Sequence, residues 1–410
     1  MTQSVLGSIT LGYRPLWNRS RELAGVQLYV DREEGAAVDA PHLLRTLEEL
    51  WSDNAPPLLL SVQSAPLLAD LLEHGGEDTP RLEIRGDWLA VDPALAGRVR
   101  DAHARGRKLV WRGDAAALPS AELARCFERS LLTLAPEEAM AALHAAQLRR
   151  ADPSAARPAR SPVAAGQIYE NVASRALMEH CLDQQQAWGL AGWPAEDVLH
   201  GYRNQPLQPL HRTITRLLKA VDADQSMEAI EHILKEEPVL VVRFLTYVNS
   251  PALGLREGVE SLRHGLMMLG YAQLAKWLAQ QLPHASTDAN LQPIYSAMVL
   301  RAQLTEHLLD AGIEDDLRRE VYLCGLFSQL DQLLGEPLGM VLRRLRLSER
   351  IYAATVLHSG PYAPSLQIAV ALENPDGAAT RALCARHETG IEEVNRALLR
   401  TLAAVQMPHA

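Results

Sequence analysis

The sequence predicts a two-part chain, an α/β half followed by an all-helical half. Short β-prone runs alternate with Ala/Leu-rich helical runs from the start to about Val198, the pattern of a parallel sheet with helices outside it, open or closed into a barrel. After Val198 no strand signal of any length appears. The length, 410 residues, suits two or three domains that each bury their own core.

Taken in order, the candidate strands are Gly7–Tyr13, Val26–Val30, Leu58–Val62, Arg81–Ile84, Lys108–Trp111 and Leu131–Leu134. The helical runs between them are Pro41–Trp51, Ala65–His74, Pro93–Ala104, Ser120–Arg125 and Glu137–Arg149. Residues 149–162, RRADPSAARPARSP, break the alternation with three prolines and four arginines. They read as a flexible surface loop, or as a basic arm for an acidic partner. A strand is expected again at Val163–Tyr169 and a helix from about Ser174 to Trp188.

Leu207–Ala220 opens the helical half, and the stretch Glu236–Gly270 is its most informative part. Pro238 suits the first turn of a helix, where its missing N–H costs nothing. Val239, Val242, Phe244, Leu245 and Val248 give that helix an apolar surface too wide for a lone amphipathic helix. Pro251 pushes Ser250 extended and ends the helix near Asn249. Gly254 permits a turn, and Ser261 is the expected N-cap of a second helix carrying Leu262, Leu266, Met267 and Leu269, closed by Gly270. Further on, Gly312 reads as a helix stop.

Composition narrows the function. At 48% hydrophobic and 22% charged the chain is an ordinary soluble type. Three Phe, seven Trp and ten Tyr leave little stacking surface for single strands, and a formal charge of −10 argues against binding phosphate backbones. Cys126, Cys181, Cys324 and Cys384 are far apart with no CxxC pair, as reduced structural thiols are. The start, MTQSVLGSIT, lacks the features of a signal peptide, and no run of about 20 apolar residues exists. The expectation is a cytoplasmic protein with no nucleic-acid partner and no membrane insertion.

Four pieces of the helical half, EEPVL (236–240), VNSPALGL (248–255), VESL (259–262) and GLMMLG (265–270), resemble in order the motifs of HDOD domains. The resemblance implies an all-α signalling module related to HD-type metallohydrolases. The other half is similar to EAL domains, the (β/α) barrels whose active members hydrolyse cyclic di-GMP with metal-bound water. The matching pieces are YRPLW (13–17), VQLY (26–29), LEIRGDW (82–88), YENVAS (169–174) and VLHGYRNQP (198–206). On this reading the domains are residues 1–206, a degenerate EAL-like barrel, and 207–410, an HDOD domain.

The resemblance also places the lost chemistry. Hydrolysing a phosphodiester through metal-bound water needs several carboxylates at strand ends. The family's signature Glu falls on Gln27, its Asn ligand on Gln63, and the Glu ending its third motif on Gly86. The Asp-Asp pair falls on Arg112 and Gly113, the late Lys-Ile-Asp strand reads Leu132-Thr133-Leu134, and a further Glu is Ala173. Glu83, Asp87, Asp114 and Glu170 lie nearby. In the helical half, Gly325–Gly335 stands where the hydrolytic relatives carry a His-Asp pair, and the two positions are Ser328 and Gln329. No His-Asp dipeptide occurs in the chain.

The reading is therefore a bacterial signal-transduction protein without catalysis, without metal or other cofactor, that works through contacts with other signalling proteins. The alternative is a receptor that binds cyclic di-GMP without hydrolysis, with Arg14 and Arg112 as candidate nucleotide contacts. Arg343, Arg344, Arg346 and Arg350 form a cationic cluster expected to be either a partner-binding face or a solvated helix face.

Overall fold

Eight strands close into a barrel in the order β1 to β8: β1 (Ile9–Asn18), β2 (Leu23–Arg32), β3 (Leu58–Val62), β4 (Arg81–Arg85), β5 (Leu109–Asp114), β6 (Arg129–Thr133), β7 (Ile168–Glu170) and β8 (Gly189–Ala191). The computed structural model describes residues 4–32, 38–52, 54–151, 160–204, 206–253, 259, 261–309 and 315–405. From β2 onward neighbouring strands are parallel, as the alternation with helices predicts. β1 departs from this and runs antiparallel to both β2 and β8. Its cause is local, because residues 19–22 are too short a link to return the chain as a parallel neighbour. Arg21 closes this turn at φ 62 and grips Asp183 with two bonds of 2.6 and 2.7 Å.

Strand length is where the sequence expectation departs most. β1 continues through Pro15 to Asn18, whereas Val163–Tyr169 contracts to β7. β8 is only Gly-Leu-Ala and carries no strand signal. The helix expected at Ser174–Trp188 is Arg175–Glu179 followed by a π turn, His180–Gln184. Arg149 and Arg150 belong to the helix Pro136–Ala151, and residues 152–159 of the Pro/Arg-rich segment lie outside the described residues, as do Gly254 and Gly312.

Alternate strand residues face the barrel interior and stack in two layers. One is apolar, formed by Leu16, Leu59, Val110, Leu131, Ile168 and Ala191 with Trp188 against it. Two residues further along the parallel strands these positions become Ser61, Arg112, Thr133 and Glu170, joined by Gln27 and Glu83. The polar layer thus lies toward the C-terminal strand ends, where barrels of this type carry their sites.

Closure at β1 is incomplete, since β8 pairs with it only at Leu16–Asn18. The end of the chain covers the upstream edge. Leu372 O accepts the N–H of Tyr13 at 2.8 Å. Asn395, fully buried on the helix Ile391–Ala403, accepts the N–H of Leu11 at 3.0 Å and donates to Leu6 O and Ile9 O at 2.8 Å each. Arg381 on the helix Gly377–His387 donates to Thr10 Oγ1 and Asp31 Oδ2, both at 3.0 Å. Accordingly the chain forms two compact units, Met1–Asp197 with Ala371–Ala410, and Val198–Val370. This differs from a division at 206/207, because an amphipathic C-terminal helix looks the same in sequence whichever core it covers.

The second unit is helical, and its nucleus follows the expected pair. The helix Pro238–Val248 buries Val239, Leu240, Val241, Phe244, Leu245 and Val248, and ends at Asn249. Asn249 then ties the following segment back, accepting from Val259 N at 2.8 Å and donating to Val259 O at 3.0 Å. Ser261 caps the next helix by accepting from His264 N at 3.2 Å. That helix, Leu262–Gln281, breaks at Gly270 (φ 70, ψ 168) and resumes at once. Its second half brings Trp277 edge-on to Phe244, with centroids 5.6 Å apart. Met267, expected on the apolar face, is exposed.

Asn395→Ala strands three buried backbone groups at the edge of β1. It is expected to destabilise the full chain by roughly 2–5 kcal/mol in denaturant unfolding. A loss below about 0.5 kcal/mol would mean that water replaces the amide there. A fragment of residues 198–370 is expected to melt cooperatively by circular dichroism. Leu245→Ala in it should cost roughly 2–5 kcal/mol.

Candidate functional site

The polar layer of the barrel is one continuous hydrogen-bonded network. Its centre is Arg112 on β5. Arg112 Nε and Nη2 donate to Glu170 Oε1 and Oε2 at 2.8 and 3.0 Å, and Nη1 donates to Glu83 Oε1 at 3.1 Å. Arg14 on β1 donates to Glu170 Oε2 at 2.9 Å, and Thr133 Oγ1 lies 3.2 Å from Glu170 Oε1. On the other side Gln27 Nε2 reaches Glu83 Oε2 and Ser61 Oγ at 2.8 Å, Ser61 Oγ donates to Glu83 Oε2, and Tyr29 OH donates to Gln27 Oε1 at 3.1 Å. The guanidinium of Arg14 also stands 5.5 Å from the centre of the Tyr29 ring.

Strand parity explains the assembly: Gln27 pairs with Arg14, Tyr29 with Ser61, and Thr133 with Glu170 across neighbouring strands. Both carboxylates are buried, with side chains 2% exposed, while Arg14 and Arg112 are 21% and 23% exposed. Two cations therefore balance two anions. Burial works against the charge on Arg112, but Glu83 and Glu170 outweigh it and raise its pKa above the usual guanidinium range. Burial likewise raises the Tyr29 phenol above its ordinary range, against the pull of Arg14 and Arg112.

Of the positions singled out in the sequence, the structure brings Gln27, Arg112 and Arg14 together, with Glu83 and Glu170 between them. Thr133 joins them through Glu170, and the remaining positions stand elsewhere. Gln63 turns back to Ser61 O at 3.3 Å. Gly86 begins the short helix Gly86–Val91, and any Cβ on Gly86 or Gly113 would run into the Trp111 ring, at 2.8 and 2.5 Å. Ala173 is exposed after β7, and Asp87 is engaged by Arg85. Tyr29 and Ser61 were not singled out, although each is the polar residue two positions from an inward-facing one.

A divalent ion of the kind the EAL resemblance implies does not fit these residues. Hard cations take about six oxygen ligands with carboxylates available to them. Here all four carboxylate oxygens are held by donors, chiefly guanidinium N–H groups. Among the described residues no cluster of three His, Cys, Asp or Glu suited to a metal occurs.

In the helical unit an arginine likewise faces the two positions singled out in the sequence. Ser328 Oγ accepts from Arg301 Nη1 at 3.2 Å, and Gln329, with its amide oxygen turned to the guanidinium, accepts at 3.1 and 3.2 Å. Arg301 is itself buried. In the cationic cluster, Arg343 and Arg344 end the helix Leu338–Leu345, Arg346 follows at φ 52, and Arg350 begins the helix Glu349–Val356. Arg344 pairs with Glu336 at 2.7 Å, Arg350 with Glu320 at 3.8 Å, and Arg343 stands over Tyr352 at 5.5 Å. The face is cationic but partly neutralised.

Glu237 is a strongly perturbed carboxyl group. Fully buried, it accepts from Leu210 N at 2.8 Å, and desolvation outweighs the backbone N–H groups facing it and pushes its pKa up to about 8. Tyr295, its buried neighbour, has an unpartnered hydroxyl.

With this geometry in view, comparison with known proteins gives a domain and several distant relatives. Residues 207–336 match the family model of the HDOD domain. Over 170 residues the chain is 21% identical to cyclic di-GMP phosphodiesterase CdgJ of Vibrio cholerae, covering 42% of this chain and 39% of that protein. It is 22% identical over 162 residues to YuxH of Bacillus subtilis, covering 38% and 39%. The matches thus span about two fifths of these relatives. Among solved structures it is similar to the MmoQ response regulator of Methylococcus capsulatus, at 17% identity and a TM-score of 0.38, over 48% of this chain and 98% of that one.

Glu237 predicts a pH dependence. Its folded pKa, about 8, exceeds the ordinary value of 4.5, so the folded state binds the extra proton. The stabilisation is complete below about 4.5 and is lost as pH rises toward 8. In the 198–370 fragment, Glu237→Gln should flatten this decline in melts between these limits. An unchanged slope in the variant would assign the decline to other groups.

Proposed function

We propose that this protein is a non-catalytic regulator in bacterial cyclic di-GMP signalling, acting through protein contacts of its barrel and HDOD domain. The observation that carries the loss of catalysis is Arg112, seated between Glu83 and Glu170 with three bonds of 2.8 to 3.1 Å. A metal-bound water needs an ion there or close by, and a guanidinium in contact with both carboxylates repels one. The match at 207–336 and the distant likeness to a cyclic di-GMP phosphodiesterase support the signalling context. The purified chain is expected to leave cyclic di-GMP intact with Mg²⁺ or Mn²⁺. Turnover that vanishes in Glu83→Gln or Glu170→Gln would overturn this reading.

A second reading, a cyclic di-GMP receptor, is favoured by Arg14 and Arg112 standing together at the strand ends, each about a fifth exposed. Both guanidinium groups are already engaged by Glu170, so a phosphate would have to compete with a buried carboxylate. Titration calorimetry with cyclic di-GMP separates the two, since the regulator reading expects no heat of binding.

Partner capture is assigned to the face of Arg343, Arg344, Arg346 and Arg350, suited to an acidic protein surface. Charge of this kind governs encounter rate and specificity more than total affinity. Arg343→Glu with Arg344→Glu should weaken recovery of partners in a pull-down while leaving the melting temperature nearly unchanged, because exposed pairs contribute little to stability. Full recovery by the double variant would leave the cluster as a solvated helix face.

A further inference from the structure

We propose that the buried guanidinium of Arg107 is an oxyanion site at the N-terminal end of the barrel, taking inorganic phosphate or a small carboxylate on its Nε–Nη2 edge. The inference goes beyond the signalling reading and does not depend on it. Arg107 stands two residues before β5, and its partner Thr79 two residues before β4, so both lie at the strand ends opposite the polar layer. The side chain is 1% exposed, and its Nη1 donates to Thr79 Oγ1. Among the described residues Nε and Nη2 have no partner. A buried charge without a counter-charge is strongly unfavourable, so the edge calls for an anion.

The free edge is the one this barrel elsewhere gives to a carboxylate. Arg112 sets Nε and Nη2 on the two oxygens of Glu170 at 2.8 and 3.0 Å. Arg81 does the same with Glu128 at 3.0 and 3.3 Å, and Arg85 with Asp87 at 3.0 and 2.6 Å. Two parallel N–H groups in that fork match the oxygens of a carboxylate or a phosphate. Around Arg107 the chain supplies charge of the wrong sign. Burial, with Arg105 beside it, pushes its pKa down to about 10, which still leaves it a cation at neutral pH. Glu77 and Asp78, the acids of the adjoining turn, are exposed.

Two glycines shape the surroundings. The guanidinium lies against Gly75, where a Cβ would fall on Nη1, and at Gly76 a Cβ would meet nothing within 4 Å. The cover is the turn Gly76–Thr79, closed by Thr79 N and Oγ1 on Gly76 O at 3.4 and 2.6 Å. A shift of this turn admits the anion to the edge.

The test is titration calorimetry of the full chain with inorganic phosphate and, in a separate arm, with acetate, at equal ionic strength. Wild type is expected to bind at a single site. Phosphate alone would name a phosphoryl ligand, acetate alone a carboxylate, and both an oxyanion site that does not discriminate. Arg107→Met should weaken the binding roughly a hundredfold, since a buried charge pair loses one member. The saturating anion should raise the melting temperature of wild type and not of this variant. An equal rise in both would mark a general salt effect and overturn the proposal. No heat from wild type with either anion would leave the edge to water only and overturn it too. Should Arg107→Met fail to fold, Arg107→Lys keeps the charge without the fork, and undiminished binding to it overturns the proposal.

Discussion

The barrel depends on the contact between Arg112 and two buried glutamates. Without it the polar layer would hold two like charges a few ångströms apart at low dielectric, where repulsion is poorly screened. With it, Glu83 and Glu170 become the anchors through which Gln27, Ser61, Thr133, Tyr29 and Arg14 are all ordered. The interior below is aliphatic and packs without direction. The upper layer is directional, so it fixes side-chain rotamers as well as charge. Its carboxylates are met by donors from other strands of the same barrel.

The helical unit reaches a related state by itself. Arg301 stands against Ser328 and Gln329, the two positions where the resemblance would have a metal-binding pair. Ser and Gln offer neutral oxygens, which suit an N–H donor and hold a bare divalent ion poorly. In both units an arginine stands at these positions, held by Glu83 and Glu170 in the barrel and facing Ser328 and Gln329 in the helical unit.

Much of this could be read before the structure. The alternation that marks β3 to β6 is strong because each strand carries at least two buried aliphatic residues and is followed by helix-forming sequence. The positions Gln27 and Arg112 were visible as departures from a known pattern, and Glu83 and Glu170 as nearby acids. What the sequence concealed was partnership. Glu83 and Arg112 are on neighbouring strands, but Glu170 joins them from β7, and only barrel closure brings it there. Closure itself relied on β8, three residues of which two are Gly and Ala. A strand so short leaves no periodicity to detect, since the alternation needs at least four residues to stand out.

The same short strand explains the division of the chain. Because β8 pairs with β1 over only Leu16–Asn18, the remaining edge of β1 would present unpaired N–H and C=O groups, a template for pairing with another chain. Leu372 and Asn395 meet those groups one by one. Gly12 is part of the same fit, for a Cβ there would lie 2.4 Å from the carbonyl oxygen of Asn374. Residues far apart in sequence therefore share one constraint: the barrel's first strand is too exposed to stand alone, and the last two helices are its missing neighbour. A contact fixed by backbone groups carries little side-chain signature, and Asn395, a buried amide among the aliphatics Val394, Leu398, Leu399 and Leu402 of its helix, is what hints at it.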